Sequence, residues 1–264
     1  MRSIIKISSV LIIMIIAVAC KKTAQSVKED NTVPQNVLDK IYALGFSKQN
    51  VQVHEDGYLV EGDIIITEND LAAMSNNIQL LRVGTEEQYR TTNLVSGLPR
   101  TITVSMSSRL PASYSAALDE ALGRYNALGL RLSFSHVSSG GQISLVRGNG
   151  SYLASSGFPS GGNPYGQVKV NSNAIGSQPQ STVASILAHE IGHCIGFRHT
   201  DYMNRAYSCG GQPVNEGAST VGAINIPGTP TGPDPNSWML SCIGSGQNRP
   251  FNANDKTALN YLYK

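Results

Sequence analysis

Charged residues are scarce in this sequence, and the few that are present nearly cancel. They make up 14% of the 264 residues, and the formal net charge is +2. Arg2 and Lys6 account for that excess, since removing residues 1–19 leaves 18 basic and 18 acidic side chains. A neutral chain has no electrostatic footprint for DNA, RNA or anionic lipid, so nucleic acid is not an expected partner.

Long apolar runs are missing too. The run from Val10 to Ala19 is too short for a comfortable membrane span. It follows basic residues and ends in small ones, which is the pattern of a secretory signal peptide over residues 1–19. We therefore expect an exported protein, in a compartment where disulfides form.

Cys20 gives the export signal a second interpretation. The phrase Ala17-Val18-Ala19-Cys20 resembles a bacterial lipobox, although that pattern prefers Leu where Ala17 stands. The resemblance implies cleavage before Cys20 and lipidation of its thiol. Residues 20–33 would then tether a lipoprotein to the outer membrane or the cell surface, or the protein would be released by processing. The alternative is ordinary signal cleavage, with Cys20 present by chance.

The rest of the chain divides into two predicted regions. Residues 34–90 form a predicted pro-region, with a helix ending at Gly45, a hairpin over residues 52–66 and a capped helix over residues 70–75. Residues 91–264 form the predicted main domain. Its strands are predicted at residues 101–104, 132–137, 142–146 and 167–171, and its helices at 113–128, at 179–195 and near the C-terminus. The strand at 167–171 either offers its edge to an extended substrate or is an ordinary edge of the sheet.

The helix that begins near Pro179 carries the chemistry. One apolar stripe is expected to be buried, and His189 and His193 are four residues apart on one face. Two imidazoles in this arrangement can bind one zinc ion. Gly196 ends the helix, so His199 can turn back as the third ligand, and Glu190 is placed to take a proton from the zinc-bound water.

The extended motif His189-Glu190-Ile191-Gly192-His193-Cys194-Ile195-Gly196-Phe197-Arg198-His199 resembles that of metzincin-clan zinc metallopeptidases, and its first five residues resemble the bacterial HEIGH metallopeptidase family. The resemblance implies an α+β fold: a twisted mixed sheet with the active-site helix, and an irregular lower subdomain with a methionine turn and a C-terminal helix. Met239 matches the turn methionine. It also implies a monomeric zinc endopeptidase with one catalytic ion and a protein or peptide substrate, and it leaves calcium sites unassigned.

Several neighbouring residues keep two interpretations. Asp63, in Val60-Glu61-Gly62-Asp63, resembles the astacin pro-peptide Asp that replaces water on zinc and keeps the zymogen latent, although Val60 replaces the Phe of that pattern. The alternative is an acidic turn residue. Tyr202 is either an oxyanion-binding residue or structural, and Asp201 either braces the site or lies at the surface.

Three cysteines follow the signal region. We favour a disulfide between Cys209 and Cys242, because Cys194 lies beside a candidate ligand on the helix, where a small buried residue fits. His54 and His136 are interpreted as ordinary surface or core histidines.

Two alternatives to the endopeptidase remain at this stage. One is a surface lipoprotein whose zinc site is structural or vestigial and whose role is binding. Structural sites usually have four protein ligands, and three histidines with an intact Glu190 fit a catalytic site better. The other is a zinc amidase that acts on a substrate other than protein.

Overall fold

The protein is described here from a computed structural model that covers residues 32–44, 46–72, 88–215, 223–230 and 232–264. These residues belong to one compact unit. The predicted signal peptide, Cys20 and nearly all of the tether lie outside the described residues. Within the described ranges, no helix is both long enough and apolar enough to cross a membrane.

Residues 32–72, called the N-terminal segment below, form a small antiparallel sheet between two helices. Its elements are α1 (Gln35–Ala43), β1 (Gln52–His54), β2 (Gly57–Val60), β3 (Ile64–Ile66) and α2 (Glu68–Ala72). The predicted hairpin is a three-stranded meander, because a second turn at residues 61–63 separates β2 from β3. The helix α2 begins before the predicted start, since Thr67 and Asp70 cap it through reciprocal side-chain to backbone hydrogen bonds.

Residues 88–264, called the main part below, contain the larger sheet. The elements are β4 (Tyr89–Arg90), β5 (Arg100–Met106), α3 (Tyr114–Asn126), β6 (Leu132–Val137), β7 (Ile143–Arg147), β8 (Ala154–Ser155), β9 (Gln167–Val170), α4 (Ser172–Ile175), α5 (Gln180–Cys194), α6 (Ala206–Cys209), β10 (Ile224–Asn225) and α7 (Ala253–Tyr263). The five-stranded sheet has the order β6-β5-β7-β9-β8. All its pairs are parallel except β8 with β9, which confirms the predicted α+β fold with a mixed sheet.

The predicted substrate edge at residues 167–171 is wrong. The strand β9 is paired on both sides, because the Gly- and Ser-rich stretch before it returns alongside and supplies β8. The outer edge therefore lies at β8 and Ser156. The N-terminal segment pairs with this edge: Ile65 N donates to Ser156 O at 2.7 Å, and Ser156 N donates to Asp63 O at 2.8 Å.

The helix α5 lies inside the main part. The sequence predicts one buried stripe, but every residue from Thr182 to Cys194 is buried. Apolar side chains of α3, α5, α7 and the sheet share one hydrophobic core, so this helix has no solvent-facing side after its first turn. A helix enclosed in this way holds its side chains in fixed positions.

The main part begins at Gln88, whose side chain is bound inside it. Its Nε2 donates to Ser237 Oγ and to Asp255 Oδ1, at 3.0 and 2.7 Å, and β4 pairs with β10 just after it. The boundary between residues 90 and 91 stays a prediction.

Candidate metal centre

Four buried side chains bring their ligand atoms together at one point. His189 and His193 come from α5, His199 from the loop after it, and Asp63 from the turn between β2 and β3. One ligand atom from each lies within 4.8 Å of all the others. The Nε2 atoms of His189 and His193 are 3.0 Å apart, and Asp63 Oδ2 lies 3.1 Å from His199 Nε2 and 3.6 Å from His189 Nε2.

Gly196 directs His199 into this cluster. Its φ of 111° is in the left-handed region that favours glycine. A Cβ there would lie 2.7 Å from Leu94 Cδ2 and 2.9 Å from Asn93 O, so the space is also closed to a side chain. After the bend, Arg198 N donates to Tyr89 O at 2.9 Å, which fixes the backbone next to His199.

Backbone carbonyls set the tautomers of two imidazoles. His189 Nδ1 lies 2.9 Å from Trp238 O, and His193 Nδ1 lies 2.8 Å from Phe197 O. A carbonyl oxygen accepts hydrogen bonds only, so each Nδ1 carries the proton and each Nε2 presents a lone pair. Burial, and then the neighbouring His189 and His199, hold the pKa of His193 well below its usual range, which also favours the neutral ligand form.

The donor set fits zinc. A tetrahedral ion bound at about 2.0–2.1 Å would separate its ligand atoms by about 3.3 Å; three of the separations here are 3.0, 3.1 and 3.6 Å, and all of them lie within 4.8 Å. Two Nε2 lone pairs that face each other at 3.0 Å repel unless a cation lies between them. Asp63 Oδ1 is buried without a hydrogen-bond partner, so this carboxylate, too, has coordination capacity left over.

The carboxyl groups of Asp63 and Glu190 have pKa values that are shifted in opposite directions. Burial opposes ionisation of Asp63, but the three imidazoles, led by His199, hold the pKa of its carboxyl well below its usual range. Burial, and then the charge of Asp63, raise the pKa of Glu190 well above its usual range. Glu190 Oε2 accepts a hydrogen bond from Ser156 Oγ at 2.7 Å. The sequence analysis missed Ser156, because a serine in a loop rich in glycine and serine carries no spacing signal.

Met239 lies where the methionine turn is predicted, close beneath α5. A Cβ built on Gly192 would lie 2.6 Å from Met239 Sδ, so the thioether packs directly against the helix between the two histidines. Met239 O accepts a hydrogen bond from Thr200 N at 2.9 Å, which joins this turn to the residue after His199.

Asp201 braces the loop that carries His199. It is buried and accepts hydrogen bonds from Ser241 N, at 2.9 Å, and from Ser208 Oγ, at 2.5 Å. A disulfide joins Cys209 to Cys242 in the same region, with 5.1 Å between the Cα atoms, while Cys194 is a free, buried thiol. The segments that carry His199 and Met239 are thus fastened together by hydrogen bonds and a covalent link.

The remaining candidates lie outside the cluster. Tyr202 packs edge-on against Tyr89, with ring centroids 4.4 Å apart, which is a structural contact. His136 Nδ1 lies 2.7 Å from an Asp119 carboxylate oxygen. His54 is 3.5 Å from the Tyr152 hydroxyl.

An ion pair between Glu61 and Arg198 was also missed by the sequence analysis. Arg198 Nη2 lies 2.9 and 3.0 Å from the two Glu61 carboxylate oxygens, and neither side chain is exposed to solvent. The available signal was an arginine between Phe197 and His199, where the motif is otherwise apolar or metal-binding.

Three imidazoles brought together by a buried helix and the loop after it, in an α+β fold, fit the class of zinc-dependent peptidases. A family model described as dual-action HEIGH metallo-peptidase matches residues 58–263, and the chain belongs to this family. The predicted family is therefore confirmed, and the protein is a metalloendopeptidase with protein or peptide as its substrate class.

Similarity to individual proteins is distant. No curated protein sequence matches the chain. Two structures of myroilysin are similar at 17% and 16% identity, both with a TM-score of 0.42, over 64% and 76% of this chain and 82% and 98% of theirs. The high choriolytic enzyme 1, a hatching-enzyme zinc protease from the medaka fish Oryzias latipes, is similar at 17% identity with a TM-score of 0.40, over 70% of this chain and 98% of that enzyme.

Proposed function

We propose that this metallopeptidase is a zinc endopeptidase in which His189, His193 and His199 bind one zinc ion and Glu190 is the general base. One observation carries the proposal. The Nε2 lone pairs of His189 and His193 face each other in a buried cluster with His199, and the Glu190 carboxylate is held beside it by Ser156. Nitrogen ligands of this kind and number are those of a catalytic zinc site.

The chain's own residues supply the proton transfers. A bound zinc ion would polarise the peptide carbonyl and make water more acidic. Glu190 takes the proton from the attacking water and delivers it to the amine that leaves. The hydrogen bond from Ser156 Oγ fixes the Glu190 carboxylate, and the carbonyls of Trp238 and Phe197 fix the rings of His189 and His193.

Asp63 explains why the full-length chain would be latent. With its carboxylate the site has four protein ligands, which is the closed arrangement of a structural site rather than the open one of a working enzyme. The backbone around Asp63 also occupies the edge at Ser156. We propose that the N-terminal segment must move away from the metal cluster and from this edge before a peptide can bind there.

The test compares four full-length proteins on casein and a peptide library, each with zinc and with a chelator. The proteins are the wild type, Asp63→Ala, the double variant Asp63→Ala with Glu190→Gln, and the control Asp39→Ala, which removes an exposed carboxylate elsewhere in the N-terminal segment. Asp63→Ala should raise chelator-sensitive activity about tenfold or more above the wild type, and the double variant should bind zinc but be about 100-fold or more less active than Asp63→Ala.

The outcomes separate the two parts of the proposal. A zinc-loaded double variant as active as Asp63→Ala would remove Glu190 from the mechanism. Equal activity in the wild type, Asp63→Ala and Asp39→Ala proteins would remove latency and leave the zinc endopeptidase standing.

For the N-terminus, we propose export followed by lipidation of Cys20, with residues 21–33 as the tether. The support is the basic start, the short apolar run and the small residues before Cys20. Growth with a labelled fatty acid should label the wild type and leave Cys20→Ser unlabelled. An unlabelled wild type that is still exported would indicate ordinary signal cleavage.

A further inference from the structure

Arg198 lies at the contact between the N-terminal segment and the metal cluster. Its guanidinium binds both carboxylate oxygens of Glu61, at 2.9 and 3.0 Å, and both side chains are fully buried. Arg198 is the residue before His199, and its backbone N is fixed to Tyr89 O. The backbone of Arg198 is therefore held within the main part, independently of Glu61.

The surroundings of Arg198 resemble a binding site for a carboxylate. The guanidinium carbon lies 4.9 Å from the centre of the Phe46 ring and 5.5 Å from that of Tyr202, so aromatic rings hold its plane. Arg205 adds a second cation, and its Nη1 donates to Glu61 O. Glu61 and Phe46 belong to the N-terminal segment, whereas Arg198, Arg205 and Tyr202 belong to the main part and would remain after that segment left.

The position of Glu61 relates this site to the reacting centre. Glu61 precedes Asp63 by two residues, and Asp63 Oδ2 lies 3.1 Å from His199 Nε2. The backbone of Asp63 and Ile65 pairs with Ser156 at the sheet edge, as an extended peptide would. Glu61 is thus an acidic side chain that is already bound two residues away from the metal-facing Asp63.

We propose that Arg198 is a specificity-determining residue that binds an acidic side chain of the peptide substrate in the place that Glu61 holds. The proposal rests on the proposed zinc endopeptidase function and names the substrate class: peptides with Asp or Glu within about two residues of the cleaved bond, on the spacing from Glu61 to Asp63. Arginine binds carboxylates in a planar, two-pronged geometry that a neutral side chain cannot reproduce.

Attachment of the N-terminal segment alone is a weak reason for this ion pair. Taking two charges out of water costs about as much as their attraction returns, so an apolar pair would hold the segment at least as well. A charged pair is needed if the cation also has to recognise a carboxylate in the substrate.

The experiment uses the full chain with a recognition site for a specific protease inserted between Ala72 and Gln88, so that the N-terminal segment can separate after cutting. The substrates are peptides in a neutral background with Glu, Gln or Lys at each position on both sides of the cleaved bond. Wild type, Arg198→Gln, Arg198→Lys and the control Arg147→Gln, an exposed arginine on β7, are compared.

We expect the cut wild type to prefer Glu over Gln by about tenfold or more at one position, the range for a hydrogen-bonded charge. Arg198→Gln should lose this preference, Arg198→Lys should retain part of it, and Arg147→Gln should match the wild type. Because a folding defect would lower cleavage of every peptide alike, the ratio of Glu to Gln cleavage reports recognition and not stability. If Arg198→Gln does not fold, the wild-type ratio and its reduction in Arg198→Lys decide the matter.

A wild type that cleaves peptides with no preference for acidic residues overturns the inference and leaves the proposed function intact, as does an unchanged preference in Arg198→Gln. If the zinc-loaded protein cleaves no peptide after the inserted site has been cut, the proposed function fails, and the inference about Arg198 fails with it.

Discussion

The N-terminal segment and the main part are built in different ways, and the difference bears on how the site would work. The main part has one continuous apolar core with α5 inside it. The N-terminal segment has a separate small cluster around Ile41, Phe46 and Ile64. Between the two, charge pairs stand beside apolar contacts: Phe46 stacks on Phe158, and Leu59 and Ile65 pack with Tyr152. The main part therefore holds the metal cluster on a core of its own, whereas the segment is a separate unit of structure that the proposed function requires to move away.

Four acidic residues of the meander account for these charged contacts. Glu55 and Asp56 bind Lys169 on β9, Glu61 binds Arg198, and Asp63 faces the histidines. Each partner lies in the main part: on β9, directly before His199 in the chain, or in the metal cluster itself. Salt weakens the partly exposed pairs of Lys169 with Glu55 and Asp56 more than the buried pair of Glu61 and Arg198.

The largest effect is expected from Gly196→Ala, a change in the rigidly packed main part. The added Cβ meets Leu94 and Asn93, and alanine is strained at a φ of 111°. Together these cost about 3–5 kcal/mol of unfolding free energy, and His199 should lose its position. Zinc content and chemical denaturation measure the result.

Gly97→Ala is the matched control for this change. Gly97 also has a positive φ, of 72°, but no atom lies within 4 Å of a Cβ placed there. The control should therefore show the backbone strain alone and should bind zinc normally. If Gly196→Ala bound zinc as tightly as Gly97→Ala, the close approach would not be what positions His199.

Removal of the disulfide should have the next largest effect. Cys209 and Cys242 are 33 residues apart in sequence, and opening a loop of this length costs about 3–4 kcal/mol in the chain-entropy model. The double change Cys209→Ser and Cys242→Ser should lower the unfolding free energy of the main part by this amount, as chemical denaturation measures it.

The effect of the disulfide should be confined to the main part. Hydrogen exchange in α1 and the meander should keep its wild-type protection at low denaturant, since their own cluster does not contain the disulfide. Cys194→Ala, which removes the free thiol and keeps the disulfide, is the control. Equal loss of protection in both parts would show that they unfold together and that the N-terminal segment is not a separate unit of stability.

The sequence predicts the main part far better than it predicts the contacts between the parts. The strand β6 is found at its predicted bounds, and the four-residue spacing of His189 and His193 brings them to one site. These signals are local: an alternating pattern, a helical period and a glycine at the bend. Asp63 reaches the cluster as the resemblance implies, and it also lies in a turn, so its two interpretations are compatible.

Long-range contacts leave no such pattern. Glu61 and Arg198 are 137 residues apart, and nothing in the spacing of either predicts the other. The error at the sheet edge has a related cause. The strand β8 has two residues, too few for an alternating pattern, and only the folded chain shows that it covers β9.

The smallest effect is expected from Lys169→Gln, which tests the charged contact between the parts. Glu55 and Asp56 outweigh the effect of burial and raise the pKa of Lys169, so the ion pair contributes stability at neutral pH. Because the folded-state pKa is raised, this contribution is complete below the ordinary value of 10.5 and disappears as the pH rises through the raised one. Removing the charge should cost about 1 kcal/mol at low salt.

Lys48→Gln is the matched control, because Lys48 pairs with Asp39 at 2.6 Å within the N-terminal segment and does not bridge the two parts. Thermal unfolding and exchange of the β1 and β2 amides should show Lys169→Gln weakened at pH 8 in low salt and equal to wild type in 1 M salt. Above the raised pKa of Lys169 the difference in unfolding temperature should vanish as well. If Lys48→Gln loosened the meander as much as Lys169→Gln, charge pairs within the segment, and not charge pairs between the two parts, would hold the meander in place.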